Sequence, residues 1–423
     1  MEDTVSRSVD QASPSLRDLS IKIHENPELN YAEHRAHSEI CNFLTSQGLN
    51  ITITPKAYGL DTSFLAEYGQ GGRVVTFCAE YDALPKIGHG CGHNLIAVTS
   101  IAAFLASVAV LKESNTPGRV RLLGCPAEEG GGGKIKLINA GAFTGTDAAL
   151  MSHPLSHLPH ISARSAGVAY GTCLAAVGFS ARFNGKPAHA GQTPWLGLNA
   201  LDAASLTYSA VGLLRQHIKP TDRIGIILPE GGAATNIIPD KGAIECTVRS
   251  ATLNDMQSLR TKVENCCRGA ALATGCTVDI VPGWVLFLLP IGSGSGDANI
   301  VRMDAYADIR PNDSLCSEFT RYMGTLGREY YCDLQLKDVG TFSTDMGNVS
   351  YEVPSFHGLH FIPTPGGTAM HTEGFRDAAK TQEAHDVCMG VAKGLAVAGL
   401  RVLFDDGFAA QAKADFEQDR KFR

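Results

Sequence analysis

An excess of basic residues is missing from this chain: 36 Lys and Arg stand against 43 Asp and Glu, a formal net charge of −7. No basic face is available to nucleic acid or to an anionic membrane, which excludes both as partners. Missing too is any CxxC pair among the 12 cysteines, many of which sit in apolar runs, as at Cys78, Cys125 and Cys246. Such scatter excludes a disulfide framework and points to small core residues kept reduced in a cytoplasmic protein. The first fifteen residues are polar and lack the apolar core and cleavage site of a signal peptide. The apolar stretch Leu95–Leu111 is peppered with Ala, Ser and Thr and falls short of the ~20 residues that span a bilayer, so it reads as a buried helix. Internal repeats and long low-complexity tracts are also absent.

What is present is ordinary for a globular protein: 423 residues, 44% hydrophobic and 19% charged, a length that predicts two domains. Residues Ser15–Gln47 carry apolar positions at helical spacing. Val74–Ala79 reads as a buried strand that stops at Glu80-Tyr81-Asp82, Asn94–Lys112 as a helix, and Arg119–Cys125 as a second strand. Gly133–Asn139 starts another helix and Asp147–Ser152 is a third strand. Alternation of this kind predicts an α/β domain whose largely parallel sheet is covered by helices on both faces. From about Gly171 the pattern becomes strand 171–184, helix 197–218, strands 223–228 and 242–249, helix 254–274 and strand 276–281. That β-α-β-β-α-β order is ferredoxin-like, and it reads as a second domain inserted into the first. We expect the first domain over 1–165 and 304–423, the insert over 166–283, and an inserted surface loop or linker over 284–303. The closing segment predicts a helix, strands Leu334–Val339 and Phe356–Ile362, and a long helix from Ala378.

In open α/β sheets, functional groups gather beyond the carboxyl ends of parallel strands, where loops converge on one crevice. Three predicted strands end in polar clusters. The first leads to His89-Gly90-Cys91-Gly92-His93, where a thiol and an imidazole two residues apart in a glycine turn suit one zinc-like cation. The second ends at Glu128-Glu129, followed by four glycines. Two adjacent carboxylates repel unless a cation or a shared proton offsets the cost. Neighbouring residues on extended backbone point opposite ways, so one carboxylate can bind metal while the other meets a water as general base; the spacing does not say which does which. The third strand ends at His153. Taken singly, each cluster also has a plain reading, as a surface turn, a solvated acidic strand end or a satisfied histidine, and for a lone His153 the plain reading is the better one. Three consecutive strand ends offering metal ligands make the combined site the better reading.

At these residues the chain resembles the aminoacylase and carboxypeptidase G metallopeptidase family, in its amidohydrolase branch and nearest to the β-alanyl-lysine dipeptidase-like subgroup. The motifs carrying the resemblance are IHENPELNYAEHRA (23–36), YDALPKIGHGCGHN (81–94), PAEEGGGGKIKLINAGAF (126–143), SHP (152–154), GKPAHAGQTPWLGLNALDAA (185–204), TNIIPDKGAIECTVR (235–249), FSTDMGNVSYEVPS (342–355) and MHTEGF (370–375). The resemblance implies a zinc-peptidase catalytic domain with a lid and dimerisation domain, and two divalent metal ions, zinc by default with manganese or cobalt as alternatives. It implies Cys91 as a bridging ligand, with His93, Glu129, His153 and His371 as the other ligands. Among His357, His360, His371 and His385 only the resemblance selects His371. Glu128 would be the general base and acid, and Asp82 a carboxylate orienting a ligand. His189 would reach from the lid into a partner subunit's site to steady the oxyanion. Asn236 and Arg249 would hold the substrate's polar end, with Gly366 and Gly367 also at the substrate. Glu80 and Asn94 stand where the wider branch has Asp, as in the dipeptidase-like subgroup.

The expected reaction is hydrolysis of an amide bond in a small N-acyl amino acid or dipeptide by a metal-activated water, in a homodimer formed through the lid. Two rivals accompany it: a same-fold enzyme dedicated to deacylation or acyl transfer on a biosynthetic intermediate, and a non-catalytic binding protein. The intact ligand set and Glu128 weigh against the second.

Overall fold

A computed structural model describes residues 1–283, 305–334, 340 and 342–420. The chain forms two compact units, one of Met1–Thr172, Ile309–Gly340 and Thr344–Arg423, the other of Cys173–Asp308 and Thr341–Ser343. The first unit opens with helices α1 (Glu2–His24) and α2 (His34–Ser46). It continues through β1 (Thr52–Pro55), β2 (Phe64–Gln70), β3 (Val74–Glu80), α3 (His93–Ser114), β4 (Gly118–Cys125), α4 (Gly133–Asn139), β5 (Ala148–Leu155) and β6 (Gly167–Val168). The second unit supplies β7 (Ala175–Asn184), α5 (Ala200–Leu213), β8 (Arg223–Glu230), β9 (Lys241–Ser250), α6 (Leu253–Thr274) and β10 (Thr277–Pro282). The chain then returns to the first unit with α7 (Asp313–Thr325), β11 (Tyr330–Tyr331), α8 (Met346–Glu352), β12 (Ser355–Phe361), α9 (Glu373–Ala378), α10 (Gln382–Phe404) and α11 (Asp406–Arg420).

The first unit's sheet runs β1-β2-β4-β3-β5-β12-β6-β11. Its centre, β4-β3-β5-β12, is parallel, while β1 with β2, β2 with β4 and β6 with β12 pair antiparallel, and β11 joins β6 in parallel at the far margin. Side chains alternate across the pleat. Val75, Phe77, Val120, Leu122, Ala148 and Leu150 join one core with α1, α3 and α10, whereas Cys78, Leu123, Cys125, Ala149 and Met151 join another with α4 and α8. Burial on both faces explains why β3 reads as a continuous apolar run. Helices α3 and α10 are apolar and long enough to cross a membrane, yet 94% and 78% of their most apolar stretches are buried inside the protein. The second unit's sheet runs β10-β7-β9-β8 and is antiparallel throughout, with α5 and α6 closing its apolar core. This is the ferredoxin-like arrangement predicted for the insert.

The helical stretch expected over Ser15–Gln47 is two helices separated by a turn at Glu25–Glu33, where Pro27 lacks an N–H and disfavours helical backbone before it. The strand expected to stop at Ser152 runs on to Leu155, because β12 pairs with β5 through Phe361↔Leu155. The segment 284–303 lies outside the described residues, as does the strand expected over Leu334–Val339 beyond its first residue.

Candidate metal centre

Cys91 and His93 flank Gly92, whose φ of +80° is a left-handed conformation that glycine adopts without penalty. A Cβ there would also lie 2.7 Å from Pro154 Cγ. This residue turns the chain directly into α3, so His93 is the first residue of a buried helix. Glu128 and Glu129 follow β4 after Pro126 and Ala127, whose φ is +58°. His153 lies within β5, near its carboxyl end, and His371 follows β12, at φ +61°. Non-glycine residues in this region are costly and cluster where function over-determines the backbone.

These residues converge on the Cys91 thiol. Its Sγ lies 3.4 Å from His153 Nε2 and 3.4 Å from His371 Nε2. His371 Nε2 is 3.7 Å from Glu129 Oε2, and His93 Nε2 is 3.7 Å from Glu129 Oε1. Two triads result, Cys91–His93–His153 and Cys91–Glu129–His371, each with donor atoms within 4.8 Å of one another and both sharing Cys91. The far nitrogens of two imidazoles are already engaged: His93 Nδ1 bonds Asp82 Oδ1 at 2.9 Å, and His153 Nδ1 bonds the Pro154 carbonyl at 2.7 Å. In the neutral imidazole each of these bonds places the proton on Nδ1 and leaves Nε2 with a lone pair for the cluster. Asp82 also accepts the Glu129 backbone N–H through Oδ2 at 2.9 Å. One carboxylate thus orients two of the predicted ligands.

The electrostatics fit a divalent ion. His93 Nε2 and Glu129 Oε1 are buried without a hydrogen-bond partner, a cost that metal coordination removes. Burial, together with Glu129, pushes the Cys91 thiol well above its ordinary range. Burial and the neighbouring Glu80, Glu129 and Asp345 push the Glu128 carboxyl well up, and burial also raises Glu129. Burial, with His93, takes His153 down to about 3. For His93 burial opposes the charge, but Asp82 outweighs it and raises the imidazole. Burial favours the protonated form of these acids, and a cation bound here would favour the charged form instead.

Glu128 Oε2 lies 3.8 Å from His93 Nε2, beside the triads. A further network adjoins it. The ammonium of Lys134, fully buried, contacts Glu80 Oε1 at 2.5 Å and Asp345 Oδ1 at 2.6 Å, while Glu80 Oε2 stands 3.5 Å from His93 Nε2. Sequence reasoning missed Lys134 and Asp345, since a lysine opening a helix ordinarily reads as solvated. The only available signal was their position inside the resemblance motifs.

The remaining predicted residues divide by unit. Gly366 and Gly367 lie in the first, in the loop between β12 and α9 that carries His371. His189, Asn236 and Arg249 lie in the second. His189 bridges Ile237, and the Asn236 carbonyl accepts the Ala190 N–H at 3.0 Å, so His189 and Asn236 are neighbours. His189 Nδ1 accepts the backbone N–H groups of Gly191 and Gln192, each at 3.2 Å; its proton therefore sits on Nε2, an exposed donor. Arg249 stands at the other end of the same sheet, where β7 pairs Ala175 with Ser250, while His189 follows the end where Asn184 pairs with Lys241. Eight residues of strand separate the two ends by roughly 25 Å.

Comparison with known proteins supplies the context. The peptidase dimerisation domain of the M20 type matches residues 175–274. The chain is 38% identical to mouse Xaa-Arg dipeptidase, over 97% of this chain and 90% of that protein. It is 27% identical to one of the subunits of Escherichia coli p-aminobenzoyl-glutamate hydrolase, over 95% and 92%. Among solved structures, a Bacillus subtilis dinuclear metal binding peptidase of the M20 family has the same fold, with a TM-score of 0.67 and 19% identity over 93% of this chain and 99% of the other.

Proposed function

The chain belongs to the M20 peptidase family, and from that premise we propose that this metal-dependent hydrolase of amide bonds in small substrates acts on dipeptides or N-acyl amino acids, with Glu128 as general base and acid. The observation that carries the reading is the pair of donor triads sharing Cys91. Cys91, His93 and His153 would hold one divalent cation, and Cys91, Glu129 and His371 the other. Bound there, the cations would acidify a water and polarise the scissile carbonyl.

Glu128, its carboxyl raised by burial and by neighbouring acids, is a group able to hold a proton and pass it on. It takes a proton from the attacking water as the new C–O bond forms, then delivers that proton to the departing nitrogen as the C–N bond breaks. Asp82 is a positioning residue, fixing the His93 tautomer and the Glu129 backbone together. His189 offers its Nε2–H to the developing oxyanion. Its distance from Arg249 along the sheet means that one copy's lid cannot bring both to one substrate, so we assign His189 and Asn236 to the site of a second copy. A homodimer formed through the second unit supplies that copy. Strand β8, which exposes Ile227 and Leu228, is an edge strand among the described residues and offers that edge for such an assembly.

Arg249 suits a substrate carboxylate, and Gly366 and Gly367 permit close backbone approach to the substrate. The mouse relative's name makes dipeptides ending in arginine the first substrates to try. Zinc is the expected ion, with manganese and cobalt accepted by the same mixed donors. The 12 cysteines, all free, support a reducing, cytoplasmic setting.

The test is metal content per chain, with hydrolysis of dipeptides and N-acyl amino acids before and after chelation. Two cations per chain and chelator-sensitive cleavage are expected. Glu128→Gln should keep both cations while turnover falls by about 10²–10⁴-fold, the usual scale of general acid–base catalysis. Near-normal turnover in that variant would remove Glu128 from the role; absence of metal and cleavage after remetallation would remove the function.

A further inference from the structure

The motif at 23–36 has no role in the chemistry above, yet its turn reaches the segment that carries Glu128. Glu33 occupies the N-cap position of α2 but makes no side-chain cap bond. Glu28 caps that helix instead, its carboxylate accepting the Arg35 and Ala36 N–H groups at 2.9–3.0 Å. The Glu33 carboxylate, 0% exposed, turns inward. Its Oε1 accepts the Ala127 N–H at 2.8 Å and the Tyr31 N–H at 3.0 Å, and its Oε2 accepts the Thr62 hydroxyl at 2.7 Å.

Two neighbours grip the same segment. Tyr31 Oη donates to the Gly131 carbonyl at 2.5 Å. Asn30, with its amide oriented so that both ends are satisfied, donates to Asp82 Oδ2 at 2.9 Å and accepts the Gly130 N–H at 3.3 Å. Gly131 allows this closeness, since a Cβ there would fall 2.5 Å from Ala127 Cβ and 2.6 Å from the Tyr31 ring. The segment held in this way includes Ala127 at φ +58°, a conformation that reverts unless surrounding contacts fix it. Capping α2 needs none of this, and burying a carboxylate beside Asp82 is unfavourable for folding alone.

We propose that the α1–α2 turn is a positioning device for the general base: Glu33, helped by Asn30 and Tyr31, locks Ala127 in its left-handed conformation and so aims Glu128. The proposal rests on the reading of Glu128 as base. It requires hydrogen-bond acceptance at Oε1 and no charge at that atom, so glutamine serves where alanine fails.

The experiment compares Glu33→Ala, Glu33→Gln and Tyr31→Phe in the metal-loaded enzyme by kcat, KM and metal content. Hydrogen exchange of 126–133 without substrate gives a readout independent of turnover. For Glu33→Ala we expect kcat lower by about 10–100-fold, the scale for residues supporting an active-site group, with KM within about threefold, both cations retained and faster exchange across 126–133. Glu33→Gln should return kcat to within about threefold of the parent. Unchanged kcat in Glu33→Ala, an equal loss in Glu33→Gln, or a loss that tracks metal content would each overturn the proposal. Should Glu33→Ala not fold, Asn30→Ala and Tyr31→Phe carry the test, and parental kcat and exchange in both would overturn it. Glu128→Gln, run alongside, separates the two ideas: parental turnover there removes the base assignment, whatever the Glu33 variants do.

Discussion

Burial decides the protonation of Glu33. With Asp82 adding to that effect, its carboxyl rises from 4.5 to about 7, so the folded chain keeps a proton that the unfolded chain releases. The stability this group contributes is fully present below pH 4.5 and is lost as pH climbs to about 7, roughly 3 kcal/mol in all. Glu33→Gln carries no such proton. Its stability relative to the parent should therefore rise by about that amount between pH 4.5 and 7 and stay level above. Urea unfolding midpoints of the metal-free proteins measure this, and parallel pH curves would contradict it. The site's residues differ in how far local sequence announces them. Cys91, His93, Glu128 and Glu129 stand out because glycines surround them at predicted strand ends. His371 does not, because its place beside Cys91 depends on β12 returning to β5 across the inserted unit. Glu33 and Lys134 are hidden for another reason: nothing local marks a charged side chain that tertiary packing will bury.

At the scale of elements, β3, β4, β5 and α3 lie within a few residues of the sequence expectation, since burial on all sides leaves an unbroken apolar signal. Strands β1 and β2 escaped it. They lie at the sheet's margin, β1 is largely exposed, and Pro55 and Gly59 interrupt the segment. Helix α7 shows how one side chain joins elements distant in sequence. Buried Asn312 accepts the Leu315 N–H at 3.1 Å as its N-cap and donates to the Ala412 carbonyl of α11 at 2.7 Å. Asn312→Ala loses both bonds and should cost about 1–3 kcal/mol. Asn312→Asp, which keeps the cap but cannot donate, should fall between alanine and the parent. Unfolding midpoints that leave Asn312→Ala level with the parent would refute that account.

At the scale of the whole molecule, the proposed function rests on two copies of the chain. With Arg249 and His189 at opposite ends of one sheet, the proposed active site needs two chains. Ile227, 56% exposed on edge strand β8, is the place to test this, because a lysine on an edge blocks pairing. Ile227→Lys should halve the mass seen by light scattering. Turnover should fall at least about a hundredfold, the lower end of what one oxyanion donor contributes, with two cations still bound per chain. Parental turnover in a monomeric variant would sink the shared-site reading.

The pairing of β12 with β5 also sets a timetable for synthesis. Cys91, His93, Glu129 and His153 all leave the ribosome early, but Leu155 meets Phe361, and His371 joins Cys91, only after the whole second unit has been translated. Until then the nascent chain presents one open edge of β5 and an incomplete candidate donor set, an adhesive intermediate. Shielding of that edge until β12 arrives falls to whatever attends the nascent chain, the ribosome or a chaperone.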